Sequence, residues 1–459
     1  MTRRFYIRTY GCQMNEHDSE RIGGLLAAEG MEATDDIETA DLVVLNTCCI
    51  RENADNKLYG HLGDLKALKQ RRPGLQIAVG GCLAQKDREL VRERADHVDV
   101  VFGTHNLAHA PALLARAALD GPIVEILEEH EAYPSALPAR REVDHAAWVT
   151  IQIGCDNSCA FCIVPAVRGK EVSRRMGDIV SEVTALAADG VVEITLLGQN
   201  VNSYGRDLGA AQYRPQFADL LRTLDAVEGI DRIRFTSPHP KDLRPETIAA
   251  MAECSSVCEH LHLPLQAGSD RTLARMHRGY TAERYLERLA AARAAIDDLA
   301  VTTDIIVGFP GETDADFERT LEVVGAAEYD AAYTFVFSPR PGTEAATMVE
   351  QFVAPELAKE RMQRLVDVVE RNGLRKHAAR VGCIEQVLVE GPSKKDANVW
   401  SGRTRQNKLA HFPPLEGTGP GDTVDVRITD AAPHWLRGVA VSRVRPAPRR
   451  RVRLPLEVV

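Results

Sequence analysis

Residues 148–162 read WVTIQIGCDNSCAFC, a β-rich run that leads directly into a loop with three cysteines. Cys155, Cys159 and Cys162 have the spacing C-x3-C-x2-C. Three thiolates on one short loop can bind three irons of a [4Fe–4S] cluster and leave the fourth iron open for a substrate. A structural zinc site needs a fourth nitrogen or sulfur ligand, and this segment has none nearby. The spacing therefore favours an iron–sulfur cluster with an open iron.

Six strand-like runs begin at this segment and alternate with helix-length amphipathic stretches. They are WVTIQIG, VEITLLG, RIRFTS, HLHLPL, VTTDIIVGF and AYTFVF. This alternation over residues 149–375 predicts an α/β fold with a partial (βα)6 barrel, whose working face lies at the C-terminal strand ends. Cys254 and Cys258 stand four residues apart in the same region, which predicts a helix with both side chains in the core.

Residues 1–130 contain three further strand candidates, FYIRTY, LVVLNT and LQIAVGG, and each ends at a cysteine. Their alternation with helical patterns predicts a small α/β domain with a parallel sheet. The carboxyl ends of neighbouring parallel strands meet at one edge, so Cys12, Cys48 and Cys82 are expected to converge. We interpret them as ligands of a second [4Fe–4S] cluster. Cys49 competes with Cys48 for its position, although its placement one residue beyond the strand end makes it the weaker candidate.

The rest of the chain falls into three segments. A stretch rich in proline and charge predicts a linker over residues 131–148, and short β runs with glycine and proline punctuation predict a small β-barrel over residues 376–445. Residues 446–459 form a basic tail. This tail, together with Lys394, Lys395 and GRTRQNK at 402–408, could follow RNA phosphates, and the alternative is a solvated basic tail.

Composition limits the class of protein. The chain has 459 residues and a formal charge of −10, which argues against a generally basic nucleic-acid coat. It contains no apolar run of the roughly 18 residues that a membrane helix needs, and its first residues lack the apolar core of a secretory signal. A cytoplasmic protein without membrane association is expected. Ten cysteines in a reducing compartment point to metal ligation or catalysis rather than disulfides.

The order of these parts resembles the methylthiotransferase family of radical S-adenosylmethionine enzymes across nearly the whole chain. The phrases that carry the resemblance are YGCQMNEHDSE, NTCCIRENA, FGTHN, GCDNSCAFCIVP, LLGQNVNSYG, RFTSPHP, LPLQAGS, TTDIIVGFPGET and GRTRQNK. They fit the branch that acts on N6-isopentenyladenosine in tRNA. Ala166 is a departure, since the family has tyrosine there, so any substrate contact made by that tyrosine must differ in this chain.

The resemblance implies methylthiolation at C2 of N6-isopentenyladenosine 37, beside the anticodon. Two [4Fe–4S] clusters and S-adenosylmethionine are the implied cofactors. S-adenosylmethionine would serve both as methyl donor and as source of a 5′-deoxyadenosyl radical, and the auxiliary cluster would deliver sulfur. The implied partners are the tRNA anticodon stem-loop, held by a C-terminal TRAM barrel, and an external electron donor. The family resemblance also suggests a monomer.

Residues outside the clusters are expected to contact cofactor or RNA. Phe161 would lie near the adenine of S-adenosylmethionine, and a core-packing role is the alternative. Further candidate contacts to this cofactor are Gln199, Gln266, Asp304, Gly308 and Gly311. Candidate RNA contacts are Arg403, Arg405 and Lys408, together with Trp400, His411 and Phe412, although the aromatic side chains fit barrel packing as well. Arg168, Arg174 and Arg175 follow the cluster loop and suit either a cofactor carboxylate or an RNA phosphate.

Three other functions remain open at this point. The first is methylthiolation of a different substrate, either threonylcarbamoyladenosine tRNA or ribosomal protein S12. The second is an iron–sulfur RNA-binding module without turnover, which would gain from a fourth thiolate in the cluster loop. The third is the transfer of iron–sulfur units to other proteins, which would not require a basic β-barrel.

Overall fold

The computed structural model describes residues 2–49, 52–128, 137–209, 214–393 and 395–448. The chain divides into two compact units. The first comprises residues 1–142, 152–174 and 340–343, and the second comprises residues 143–151, 175–339 and 344–459. Some of the residues used above lie outside the described ranges, namely Ile50, Arg51, Lys394, residues 131–136 of the linker and residues 449–459 of the basic tail.

The first unit is built on a six-stranded parallel sheet with the strand order β2-β1-β3-β4-β5-β6. Both central strands, β3 and β4, are buried along their whole length because separate apolar cores cover the two faces of the sheet. The elements are β1 (Arg4–Tyr10), α1 (Gln13–Ala28), β2 (Glu32–Ala33), β3 (Leu42–Thr47), α2 (Glu52–Arg71), β4 (Gln76–Gly81), α3 (Cys82–Asp87), α4 (Leu90–Arg94), β5 (Val100–Phe102), α5 (Ala110–Asp120) and β6 (Ile123–Glu125).

The C-x3-C-x2-C loop is part of this first unit. After β7 (Ala146–Thr150), which belongs to the second unit, the chain forms β8 (Gln152–Ile153), the loop itself, α6 (Val164–Arg168) and β9 (Val172–Ser173). β8 and β9 pair in antiparallel fashion, so the loop and α6 are held between the two strands of a short ribbon. Ile163 and Val167 pack into the same apolar core as α2 and α3. The loop thus groups with the N-terminal residues rather than with the strands that follow it.

The second unit contains the six predicted strands of the partial barrel. They form two three-stranded parallel sheets, β11-β10-β7 and β12-β13-β14, and an isolated parallel bridge pairs Ile233 of β11 with Val257. Helices separate the strands, as the alternating pattern predicts. The elements after β9 are α7 (Met176–Ala188), β10 (Glu193–Leu197), α8 (Phe217–Asp225), β11 (Arg232–Phe235), α9 (Pro245–Glu253), β12 (His260–His262), α10 (Asp270–Arg275), α11 (Ala282–Ala295), β13 (Ala300–Val307), α12 (Asp314–Ala327), β14 (Ala331–Val336) and α13 (Pro355–Ala378).

The last five strands close into a barrel in the order β15-β16-β17-β19-β18. They are β15 (Ile384–Pro392), β16 (Trp400–Thr404), β17 (Leu409–Phe412), β18 (Thr423–Ala432) and β19 (Trp435–Arg445). Phe412 is fully buried in the barrel core and Trp400 packs against that core. His411 lies half-buried with its ring edge-on to Trp435, at 6.4 Å between ring centroids. The packing role considered for the aromatic side chains is therefore the observed one for Phe412 and Trp400.

Two boundaries differ from the sequence-based expectation. β7 begins at Ala146, inside the predicted linker, and Arg140 of that linker donates its backbone N–H to the carbonyl of Glu20 on α1 at 2.8 Å. The helix predicted to carry Cys254 and Cys258 is wrong in extent: α9 ends at Glu253, because the chain then turns to pair with β11. Both thiols are buried, as predicted.

Within the described ranges, no helix combines the length and apolar character needed to span a membrane.

Candidate functional site: two cysteine groups in one unit

Cys12, Cys48 and Cys82 lie at the carboxyl ends of three adjacent strands. Cys12 follows β1 after one glycine, Cys48 directly follows β3, and Cys82 directly follows β4 as the first residue of α3. The sheet order places β1, β3 and β4 side by side, with Tyr10 opposite Thr47 and Thr47 opposite Gly81. The parallel topology therefore brings together three cysteines that are up to 70 residues apart in the chain.

Hydrogen bonds between thiols pair Cys12 with Cys48, and Cys82 with the neighbouring Cys49. The bond from Cys48 lowers the pKa of Cys12 to about 6, with the charge of Arg168 acting in the same direction and burial opposing it. The bond from Cys49 similarly lowers the pKa of Cys82, and Arg168 again contributes. Burial and the bond to Cys82 raise the pKa of Cys49 far above its usual range. Both shifts act in favour of the thiolate, which is the form that binds metal.

Glycines precede three of the six predicted ligands and hold them in place. Gly11, Gly81 and Gly154 have φ values of +138°, +93° and +75°. A Cβ at Gly11 would lie 2.2 Å from the Cβ of Cys48, and one at Gly154 would lie 1.9 Å from the carbonyl oxygen of Lys170. Only glycine fits both the backbone conformation and the space. The recurrent Gly-Cys dipeptide is the sequence signal for these tight turns before the cysteines.

The C-x3-C-x2-C loop is closed at its base by backbone hydrogen bonds. The N–H of Cys155 donates to the carbonyl of Gly169 at 3.1 Å, and the N–H of Cys162 donates to the carbonyl of Cys159 at 3.0 Å. All three cysteines are partly exposed, and burial raises the pKa of Cys155. Phe161 is also partly exposed and Ala166 lies on the exposed side of α6. The loop therefore keeps all three of its cysteines partly accessible.

The donor sets fit clusters better than single ions. Among the described residues, no three His, Cys, Asp or Glu side chains converge as ligands of one metal ion. A [4Fe–4S] cube does not require such convergence, because each thiolate binds an iron at a different corner. Three cysteines on one loop, and three at neighbouring strand ends, therefore provide suitable ligand sets for cubes with one iron left open.

The choice between Cys48 and Cys49 can be tested by counting iron. We expect Cys48→Ala to hold about four iron atoms per reconstituted chain instead of about eight, because Cys48 is a predicted ligand of the second [4Fe–4S] cluster. Cys49→Ala is expected to keep the full iron content, since the bond to Cys82 and burial raise the pKa of Cys49 and so disfavour the thiolate that binds metal. Iron analysis of both anaerobically reconstituted variants is the measurement. The reverse result would assign the ligand to Cys49.

In the second unit, Gln266 and Asp304 lie side by side, because Gln266 pairs with the C-terminal half of β13. Gln266 has a φ of +69° and exchanges backbone hydrogen bonds with β13, donating to the carbonyl of Asp304 at 2.8 Å and accepting from Ile306 at 2.8 Å. The Asp304 carboxylate lies 3.5 Å from Nε2 of His262. Gln199 has a solvent-shielded Oε1 without a hydrogen-bond partner among the described residues, so it can still accept a bond from a ligand.

Gly308 and Gly311 were predicted as cofactor contacts, and their surroundings give another reason for glycine. Both have a left-handed φ, +73° and +74°. A Cβ at Gly308 would lie 3.1 Å from Ala358 on α13, and one at Gly311 would lie 3.0 Å from Gln351 and 3.1 Å from Arg275. The turn conformation and internal packing account for these two glycines, so close approach of a ligand is not needed to explain them.

The segment GRTRQNK joins the C-terminal barrel to the rest of the second unit. Arg405 donates to the carboxylate of Glu259 at 2.8 Å, and the ammonium of Lys408, only 3% exposed, forms an ion pair with Asp330. Arg232 and Arg234 donate to the carbonyls of Arg403, Thr404 and Arg405. These partners lie in β11 or just before β12 and β14, at the N-terminal strand ends. The segment therefore adjoins the edge opposite the expected working face.

These contacts correct the prediction that Lys408 binds RNA, because a buried ammonium paired with a carboxylate has no free face for a phosphate. Arg405 is likewise committed to Glu259 and to two backbone carbonyls. Arg403 differs, since its side chain is 39% exposed, forms a surface ion pair with Glu390 and donates to the carbonyl of Asn407. Of the three predicted basic contacts, Arg403 keeps the accessibility that RNA binding requires.

Comparison with known proteins shows which family the chain resembles. Residues 4–103 match the uncharacterized protein family UPF0004, residues 149–324 match the radical SAM superfamily, and residues 378–441 match the TRAM domain. The chain is 54% identical over 447 residues to the tRNA-2-methylthio-N(6)-dimethylallyladenosine synthase of Acidothermus cellulolyticus, covering 96% of this chain and 89% of that protein. The chain belongs to the tRNA-2-methylthio-N(6)-dimethylallyladenosine synthase family.

Further comparisons agree with that assignment. The protein of the same name from Salinispora arenicola is 54% identical over 442 residues, covering 95% of this chain and 87% of its own. Among solved structures, the radical S-adenosylmethionine methyltransferase TsrM from Kitasatospora setae matches with a TM-score of 0.54 and 13% identity over 75% of each chain, which shows a shared fold. The resemblance to methylthiotransferases and the predicted fold class are confirmed.

Proposed function

We propose that this chain transfers a methylthio group to C2 of N6-isopentenyladenosine 37 in tRNA. The observation that carries the proposal is the grouping of two cysteine sets in one compact unit, one at adjacent strand ends and one on the C-x3-C-x2-C loop. Membership of the tRNA-2-methylthio-N(6)-dimethylallyladenosine synthase family supports the same reaction. The family's cofactors are a [4Fe–4S] cluster and S-adenosylmethionine, and we infer two clusters in this chain.

The six cysteines have separate roles in this proposal. Cys155, Cys159 and Cys162 hold the cluster whose open iron binds S-adenosylmethionine. Cys12, Cys48 and Cys82 hold the auxiliary cluster. The partly exposed thiols of the loop suit a cluster that must accept a small molecule, whereas burial of Cys48 and Cys82 suits a cluster shielded from solvent.

The hydrogen at C2 of the adenosine explains why the reaction needs iron–sulfur clusters and S-adenosylmethionine. It sits on an aromatic carbon that is neither acidic nor electrophilic, so acid–base catalysis by side chains has little to act on. When bound, the clusters and S-adenosylmethionine supply the electron, the radical, the sulfur and the methyl group. Two side chains of the second unit are the proposed polar contacts to the cofactor: Gln199, whose Oε1 has no hydrogen-bond partner within the described ranges, and Asp304, whose carboxylate lies beside His262.

The tRNA anticodon stem-loop is the proposed partner, and the matched TRAM domain supports an RNA substrate. A splayed base 37 would reach the reacting groups, and basic side chains would contact phosphates elsewhere on the RNA. An external electron donor must reduce the cluster held by the loop. Arg403 is the described member of the predicted basic set that remains accessible for this purpose.

We expect Arg403→Gln to weaken tRNA binding and to reduce the salt dependence of the affinity by about 0.7 to 0.9 in the log–log slope, the amount for one phosphate contact. Arg405→Gln is the matched control. It should change the salt slope little and lower thermal stability, because Arg405 is bonded to Glu259 and to backbone carbonyls. Filter binding at several salt concentrations measures the slopes. Equal slopes for wild type and Arg403→Gln would refute the phosphate contact.

The function itself is tested with reconstituted full-length protein under anaerobic conditions. Reductant and S-adenosylmethionine are supplied with isopentenylated tRNA, threonylcarbamoylated tRNA or ribosomal protein S12 in parallel, and products are read by mass spectrometry. We expect a methylthio group on isopentenylated tRNA alone. Modification of either other substrate would assign the chain to another branch of the methylthiotransferase family. Formation of 5′-deoxyadenosine without any modified substrate would support the radical chemistry and contradict the substrate assignment.

A further inference from the structure

Arg168 joins the cluster loop to a predicted ligand of the auxiliary cluster. It is the last residue of α6, the helix that follows the C-x3-C-x2-C loop. Its Nε donates to Sγ of Cys82 at 3.3 Å, and its Nη2 donates to the carboxylate of Asp18 on α1 at 2.7 Å. All three residues are buried, with exposures of 5%, 4% and 7% for Arg168, Cys82 and Asp18. The guanidinium thus bridges three segments distant in sequence.

The surrounding contacts hold α6 firmly against these segments. Thr104 donates its hydroxyl to the carbonyl of Val167 at 2.6 Å, and Ile163 and Val167 pack in the same apolar core as Cys82 and Leu83. α6 and α3 are therefore fixed to each other within the first unit. Since α3 begins at Cys82 and α6 is preceded by Cys162, the positions of the two cysteine sets are coupled through this packing.

The choice of arginine fits this bridging geometry. A planar guanidinium presents separate N–H edges, so one edge can bind a carboxylate while another faces a sulfur. A lysine ammonium is a single point charge and cannot satisfy both partners in the same way. The burial of Arg168 between Asp18 and Cys82 corrects the expectation that it contacts a cofactor carboxylate or an RNA phosphate.

We propose that Arg168 is a positioning residue for the auxiliary cluster, which orients Cys82 and places a positive charge beside its sulfur. The inference rests on the proposed function, specifically on Cys82 as a cluster ligand. Hydrogen bonds to ligand sulfurs and nearby charge set the reduction potential of iron–sulfur clusters. A positive charge stabilises the reduced cluster, which carries one more negative charge than the oxidised form. Asp18 partly neutralises that charge.

The test uses the full-length chain with Cys155, Cys159 and Cys162 replaced by alanine, so that only the auxiliary cluster remains. Midpoint potentials are measured by redox titration with electron paramagnetic resonance, in this background and with Arg168→Met, Arg168→Lys or Asp18→Asn added. We expect Arg168→Met to shift the potential to more negative values. Asp18→Asn should shift it to more positive values, because the guanidinium is then no longer neutralised. Arg168→Lys should give a smaller shift than Arg168→Met.

Arg116→Met is the matched control, since this surface arginine on α5 pairs with Glu125 and should leave the potential unchanged. Opposite shifts from Arg168→Met and Asp18→Asn would support the electrostatic role, which a general loss of packing would not produce. If Arg168→Met does not fold, the Asp18→Asn variant tests the inference by itself: a shift to more positive potential supports it, and no shift or a negative one contradicts it. Unchanged potentials, or shifts of the same sign, would overturn the inference. Absence of any cluster in the background chain would instead overturn the assignment of Cys82 as a ligand, and with it the proposed function.

Discussion

Replacement of Cys155 by alanine is expected to abolish both 5′-deoxyadenosine formation and tRNA methylthiolation. Cys155 is the first thiolate of the C-x3-C-x2-C loop, and two remaining thiolates cannot hold a cube with a single open iron. Without that iron, S-adenosylmethionine has no site at which it can be cleaved reductively. The measurement is chromatography of 5′-deoxyadenosine together with mass spectrometry of digested tRNA, from the same anaerobic reaction.

Cys82→Ala is the matched control for this prediction, because it removes a thiolate of the other set. It should retain 5′-deoxyadenosine formation and lose methylthiolation, since the loop cysteines are intact and the proposed auxiliary cluster, the sulfur source in the proposed function, lacks a ligand. Cys383→Ala, at an exposed cysteine far in sequence from both sets, should retain both products. Methylthiolated tRNA from either the Cys155 or the Cys82 variant would contradict the assigned roles.

Replacement of Arg361 by methionine is expected to lower the free energy of unfolding by about 3 to 5 kcal/mol, the range for breaking a buried ion pair. Arg361 on α13 donates to the carboxylate of Glu312 at 2.9 Å, and the two side chains are 3% and 1% exposed. That carboxylate also accepts the N–H of Gly308 at 2.7 Å, which fixes the turn after β13. The variant leaves Glu312 buried without its charged partner.

Urea denaturation of the cluster-free chain measures this loss, and Arg364→Met is the control. Arg364 lies on the same helix and pairs with Glu318, but the side chains are 44% and 51% exposed, so a change of about 1 kcal/mol or less is expected. Equal stability losses in the two variants would contradict the prediction.

The loss in Arg361→Met should also depend on pH. Burial raises the pKa of Glu312 above its ordinary value, and removal of Arg361 raises it further. The folded state then takes up a proton more readily than the unfolded state, so the destabilisation is complete above the folded pKa and decreases as the pH falls towards the unfolded value. Unfolding should therefore show a larger difference from wild type at about pH 8 than at about pH 5.

Several predictions succeeded because they depended on local chemistry. The six βα repeats were readable from hydrophobic runs, and the five strands of the small barrel from short β patterns with turn residues between them. The convergence of Cys12, Cys48 and Cys82 could be predicted because parallel strands that alternate with helices must end at one edge. These inferences needed only periodicity and strand direction.

Other predictions failed where a partner from a distant part of the chain decides the role of a side chain. Lys408 looked like a phosphate ligand from its basic neighbours, but Asp330, 78 residues away, binds its ammonium. The cofactor contacts predicted for Gly308 and Gly311 stay a prediction, but their left-handed turn and the packing of Ala358 and Gln351 already give a reason for glycine that the sequence does not show. Charge and glycine content are visible in a sequence, whereas the group that occupies the adjoining space is not.

The amino-acid sequence by itself determined the fold class, the order of the parts and both cysteine sets, because hydrophobic periodicity and cysteine spacing are properties of short segments. The tertiary structure alone decided which basic residues remain accessible and where Arg168 points. Asp18 lies 150 residues from Arg168 and Cys82 lies 86 residues from it, and no local pattern encodes such a meeting. A buried guanidinium needs hydrogen-bond acceptors, because burying an unpaired charge has a large free-energy cost. Only the packing of the whole chain decides which residues supply those acceptors.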